Sequence, residues 1–118
     1  MEQAFSLTAE VRENRLIIAT TGYINNVGGA AIAKEFNTHF AKGTKEVILN
    51  LAQSKVVNSI GMSFLIEIIE QLNEVGGKLV FTNLDPAVEK MLAIMGLFSY
   101  ADKQPTVAEA LASLANRK

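Results

Sequence analysis

The sequence predicts an α/β domain: a mixed sheet of four to five strands with about four helices. Three observations carry this. Short runs of strand-type residues alternate with segments of helical periodicity along the chain. The first two runs are separated only by a turn signal, which predicts an antiparallel hairpin. Later runs are separated by helix-length segments, which predicts parallel crossovers. The run Val47-Ile48-Leu49-Asn50-Leu51 is mostly apolar, as expected of a central strand covered on both faces.

The elements follow in order. Phe5 to Val11 alternates apolar and polar residues, the pattern of a half-buried strand. Glu13-Asn14 is the turn, and Leu16 to Thr20 is the second strand. Gly22 to Gly29 reads as a loop. Ile32, Phe36 and Phe40, with Ala33 beside them, recur at helical spacing, and Lys42-Gly43 closes that helix. A second helix is predicted from about Ser59 to Val75. Its apolar arc, from Phe64 round to Ile66, spans roughly 200° at 100° per residue. Ser63, Glu67, Glu70 and Glu74 form its solvated stripe, and Gly76-Gly77 ends it. Lys78 to Thr82 is the fourth strand. Asp85-Pro86 pairs a capping residue with a first-turn proline and opens a third helix, with Val88, Met91, Leu92 and Met95 as its buried face and Gly96 as its end. After a possible fifth strand, Thr106 to Glu109 is a capping box for a last helix that buries Val107, Leu111 and Leu114.

The 118 residues fit one domain, 1–118, without linker, low-complexity segment or internal repeat. There is no cysteine, so neither disulfides nor thiolate metal sites are expected. A formal charge of −1 offers no broad attraction to nucleic acid or anionic lipid. No apolar run approaches the roughly 20 residues of a membrane span, and the N-terminus lacks a signal-peptide pattern. These features predict a cytoplasmic protein without direct nucleic-acid binding or membrane insertion.

No P-loop, GxGxxG or HExxH pattern is present. The single histidine, His39, lies between Phe36 and Phe40 and lacks the partners of a metal site or triad. The chain has two aspartates, Asp85 and Asp102, too few to hold Mg²⁺ at strand ends as a phospho-receiver does. Gly28-Gly29 is a weak phosphate-cradle signal beside its simpler reading as a flexible lead-in to the first helix. Met62, Met91 and Met95 read as core. The chain is therefore read as a non-enzyme without cofactor or metal.

Asn58-Ser59 stands out because it interrupts an apolar run at a strand-to-helix junction. A Ser or Asn there can cap the helix by accepting a first-turn amide. It can also carry a switch. The helix N-terminus stabilises negative charge, so the fold tolerates a phosphate on Ser59 that would add about −1.5 to −2 charge to the surface.

At these residues the sequence resembles the STAS family (sulfate transporter and anti-sigma factor antagonist). Asn58-Ser59-Ile60-Gly61 sits where STAS domains carry D-S-S-G or D-S-T-G. Gly22-Tyr23-Ile24-Asn25 resembles the family's G-x-L-D after the second strand. Val88 to Phe98, VEKMLAIMGLF, resembles its third helix and following L-x-x-x-G-L. The resemblance implies a small α/β sandwich and a binding switch. In the family, the unphosphorylated antagonist binds an anti-sigma factor that is itself a serine kinase, which frees the sigma factor. The kinase phosphorylates the motif serine, the antagonist lets go, and a serine phosphatase resets it. Ser59 matches the phosphoacceptor. Asn25, Asn58, Ile60, Gly61 and Met62 match positions around the partner-binding surface. Asn25, Asn50 and Asn58 stand where the family usually has Asp, and Ile60 replaces the second hydroxyl.

Two alternatives accompany this reading. One is a non-switching STAS accessory subunit of a lipid-transport ABC complex, favoured by Asn58 and Ile60. The other is a small-ligand or nucleotide sensor using the loop from Gly22 to Gly29, with Phe64 at the edge of a contact.

Overall fold

The computed structural model describes residues 4–117. Its strands are β1 (Ser6–Arg12), β2 (Arg15–Thr21), β3 (Glu46–Gln53), β4 (Lys78–Thr82) and β5 (Asp102–Gln104). Its α-helices are α1 (Asn26–Phe40), α2 (Ser59–Glu74), α3 (Pro86–Ile94) and α4 (Val107–Ala115), with a 3₁₀ turn at Leu97–Ser99 after α3. The five strands lie in chain order. β1 and β2 are antiparallel and every later pair is parallel. This is the mixed sheet the alternation of patterns predicts. The hairpin turn places Glu13 and Asn14 at φ 56° and 66°, the double left-handed conformation whose twist matches the flanking strands.

The strand period of two divides the sheet residues between two cores. Leu16, Ile18, Val47, Leu49, Leu79 and Phe81 face α1, α2 and α3. Ile17, Ile48 and Val80 face α4 alone, against Ala110, Leu111 and Leu114. Three helices thus share one face of the sheet and the last helix covers the other. Arg117, just past α4, donates to Glu46 at 3.0 Å and to the Gly76 carbonyl at 2.9 Å, while Arg15 reaches the same carboxylate at 2.8 Å. These bonds tie the end of α4 to β2 and β3.

Two sequence expectations need correction. The segment Gly22 to Gly29 is not all loop, because α1 already begins at Asn26 with Asn25 as its cap. Met91 and Met95 are not buried; they are 37% and 54% exposed. α3 is short and presents one i, i+4 row, Val88 and Leu92, to the sheet. The two methionines form a neighbouring row that reaches solvent. Among the described residues no helix is long and apolar enough to cross a membrane.

Candidate functional site

The region around Ser59 is built by two chain segments that leave the sheet side by side. Beyond the paired residues of β2 and β3, the Gly22 amide donates to the Gln53 carbonyl and the Ile24 amide to Val56, both at 3.0 Å. Ile24 and Val57 form a further parallel bridge, and the Asn58 amide donates back to Ile24 at 3.1 Å. The ladder therefore continues, through a register shift between Ala19 and Thr21, until each segment turns into a helix. Beneath it, Thr20 and Ser54 are both buried and share a hydroxyl hydrogen bond of 2.7 Å. Thr20→Val should cost about 1–3 kcal/mol, because it leaves the Ser54 hydroxyl buried without a partner. Urea denaturation of T20V, S54A and the double variant checks this; the two losses should not add, since they break the same bond.

Each helix starts on an asparagine. The Asn25 side-chain oxygen accepts from the Val27 and Gly28 amides at 3.0 and 3.1 Å. The Asn58 oxygen accepts from the Gly61 amide at 2.8 Å. The cap of α2 is therefore Asn58, and Ser59 is the first helical residue. Asn58→Ala should cost about 1 kcal/mol in thermal or urea denaturation. Asn58→Asp should be neutral or stabilise by a few tenths, since it keeps the acceptor and places a negative charge at the helix N-terminus.

The two segments echo one another. Tyr23-Ile24-Asn25-Asn26-Val27-Gly28 and Val56-Val57-Asn58-Ser59-Ile60-Gly61 both read apolar, branched, Asn, polar, branched, Gly. Structure and sequence coincide here: the second residues bridge, the third residues cap, and both glycines are buried. The glycines let the helices approach. A Cβ on Gly61 would stand 2.1 Å from the Ile24 carbonyl oxygen, and one on Gly29 would stand 2.5 Å from the Phe64 ring. Gly28 and Gly29 thus let α1 pack closely on its neighbours, Gly28 against the Tyr23 carbonyl and the Phe5 ring, Gly29 against Phe64 and Gly61 of α2.

Exposed at this tip are Ser59, Asn26 and Lys55, together with four apolar side chains. Tyr23 and Val27 flank Asn25 at two residues on either side, and Val56 and Ile60 flank Asn58 in the same way; all four are exposed. Asn25 and Asn58 are half-buried between them, while Gly61 and Met62 lie underneath as support. Of the serines between 54 and 63, Ser54 is buried against Thr20 and the Ser63 hydroxyl donates to the Ile60 carbonyl at 2.6 Å. Ser59 alone is exposed with no hydrogen-bond partner for its hydroxyl among the described residues. From Gly22 to Ala30 and from Ser54 to Ser63 the sole charged residue is Lys55. Tyr23, Val27 and Val56 are missing from the residues the motif points to. The hexapeptide echo is the signal that finds them. His39 sits at the far end of α1, paired with Glu35 at 3.1 Å.

Residues 6–110 match the model of the STAS domain family. The chain is 28% identical over 93 residues to BtrV of Bordetella bronchiseptica, named as a candidate anti-sigma factor antagonist; the match covers 79% of this chain and 80% of that protein. In fold it is similar to an anti-sigma factor antagonist from Mycobacterium paratuberculosis, with a TM-score of 0.84 at 18% identity, covering 96% of each chain. It is similar also to SpoIIAA in its unphosphorylated form, with a TM-score of 0.79 at 22% identity over 98% of this chain and 99% of that one. The phosphorylated form of SpoIIAA, from Bacillus, aligns with a TM-score of 0.73 at 21% identity over 94% and 99% of the two chains. The sheet order, the helix arrangement and the match over most of its length agree: the chain belongs to the STAS domain family.

Proposed function

We propose that this protein is an anti-sigma factor antagonist. It binds an anti-sigma serine kinase through the tip formed by Tyr23, Asn25, Val27, Val56, Asn58 and Ile60, and phosphorylation of Ser59 releases it. The observation that carries the reading is Ser59 itself: an exposed, unengaged hydroxyl on the first residue of α2, in a segment that also exposes Val56 and Ile60.

The chemistry of each state follows. Unmodified, the tip is nearly uncharged and apolar, so covering it removes exposed hydrophobic surface from water. A phosphate on Ser59 would put about two negative charges within that surface. The first amides of a helix have no intrahelical acceptor, so those of Ser59 and Ile60 can receive it without disturbing α2. The modified tip then stays folded but loses a partner that must desolvate it. The names borne by BtrV and the M. paratuberculosis protein, and the two forms of SpoIIAA, support this reading.

The direct test is phosphorylation by the anti-sigma kinase of the source organism. With purified kinase and ATP, the wild type should gain the mass of one phosphate, mapped by peptide sequencing to Ser59, and Ser59→Ala should gain none. Modification of S59A to the same extent, or of neither protein, overturns the switch. A phosphorylated serine elsewhere moves it.

A further inference from the structure

A second exposed apolar surface lies at the other end of α2, away from Ser59. The C-terminal half of α2 and the turn after α3 enclose an open groove of about 690 Å³, lined by Ile66, Ile69, Glu70, Glu74, Leu97 and Tyr100 among others. Tyr100 of this lining is 64% exposed, and Ile94, two residues before the lining residue Gly96, is 73% exposed, the highest values among the large hydrophobics of the described residues. Met91, Ile94 and Met95 share a face of α3 by their spacing of three and four residues and lead directly into the groove at Gly96. Met91, Ile94 and Met95 belong neither to the tip nor to the core, while Ile69 and Leu97 of the groove floor are also core residues.

The wall supplied by α2 is acidic. Glu67, Glu70 and Glu74 lie on its solvated side, three and four residues apart. Among the described residues none of them forms an ion pair, although carboxylates elsewhere do, Glu89 with Lys103 and Asp102 with Lys78. The groove thus joins an apolar floor to one uncompensated negative rim.

We propose that this groove docks a short amphipathic helix of a partner protein, carrying two or three apolar anchors and Lys or Arg residues along one flank. Three features select that occupant. The rim calls for positive charge. The groove runs beside α2 from Ile66 to Glu74, eight residues or about 12 Å at 1.5 Å per residue, which matches anchors at i, i+3 or i+4, and i+7. Its walls are α2 and the turn after α3, not a free strand edge, so the incoming backbone must satisfy its own hydrogen bonds, as a helix does. Met91 and Met95, flexible and polarisable, suit such adaptable packing.

The test uses two synthetic 16-residue helical peptides of the same Leu, Ala and Lys composition, one amphipathic and one scrambled. Each is titrated into the isotope-labelled full chain and followed by NMR amide shifts at low and high salt. The amphipathic peptide should bind with a Kd in the micromolar range and shift amides of Ile66 to Glu74 and Gly96 to Ala101. Its affinity should fall at high salt. The exposed-site variant I94S/Y100S should weaken it about tenfold. E70Q/E74Q should weaken it less and flatten its salt dependence. Melting temperatures of both variants near wild type show that the fold is intact. Equal binding of the scrambled peptide, shifts centred on Ser59, or no shift at millimolar peptide overturns the proposal. So does a concentration-dependent dimer abolished by I94S/Y100S, which assigns the groove to a second copy of the chain.

Discussion

Ser59→Glu should weaken binding to the anti-sigma kinase by about a hundredfold or more, while Ser59→Ala binds like the wild type. The reason is desolvation. The tip offers four exposed apolar side chains and no carboxylate, and Lys55 is the nearest cation in sequence. A partner that covers this surface must bury the new carboxylate, and an unpaired buried charge costs about 3–5 kcal/mol. Each 1.4 kcal/mol is a factor of ten in affinity, so the expected loss is roughly two to four decades. Phosphate carries more charge than Glu, so a phosphate on Ser59 should weaken binding at least as much as the variant does. Alanine removes only a hydroxyl that engages nothing, so it leaves the surface essentially unchanged. Calorimetry or surface plasmon resonance with the purified partner measures all three proteins. Equal affinities would remove the switch and favour a constitutive STAS subunit, for which Ser59 is one more surface residue. The groove peptide reads a different surface, so its result does not depend on this one.

The largest effect on stability is expected at Gly61. Alanine is normally the better helix residue by about 1 kcal/mol. Here its Cβ would lie 2.1 Å from the Ile24 carbonyl oxygen, and the neighbour is backbone held in a parallel ladder. The two helix starts must move apart, breaking the Asn58–Ile24 hydrogen bond and the apolar contact beneath the tip. Gly61→Ala should therefore cost about 2–4 kcal/mol net, a large part of the 5–15 kcal/mol that holds a typical domain. Gly29→Ala is the internal comparison. Its Cβ meets the Phe64 ring at 2.5 Å, and a half-buried side chain can turn away, so the loss should be smaller, about 1–2 kcal/mol. Urea denaturation of both variants decides. A G61A protein as stable as wild type would mean that the close approach at Ile24 is not a constraint.

Much of the fold was legible because its determinants are local. The alternation in Phe5 to Val11, the Glu13-Asn14 turn and the capped starts at Asp85 and Thr106 each sit within a few residues. The position of Ser59 at the start of a helix was legible for the same reason. Its cap was not, because Ser and Asn are both good caps and only the backbone decides which one takes the extended conformation: Asn58 does, at φ −97° and ψ 178°. Gly22 to Gly29 misled as a loop. Its glycines disfavour a helix locally, whereas close packing against Gly61 and Phe64 requires them there. Met91 and Met95 misled because hydrophobic character alone cannot tell which of two adjacent helical rows meets the sheet.

The α/β class, the hairpin, the order of the helices and the serine at a helix start can be read from the amino-acid order, since periodicity and capping act between near neighbours. Folding in three dimensions adds that α4 alone covers the second face of the sheet and that the two Asn-capped starts stand together. It alone left Tyr23, Val27, Val56 and Ile60 in solvent, and a groove with an acidic rim along the C-terminal half of α2. Those outcomes depend on how segments about thirty residues apart pair in the sheet. Exposure is a property of the assembled surface, which no local pattern encodes.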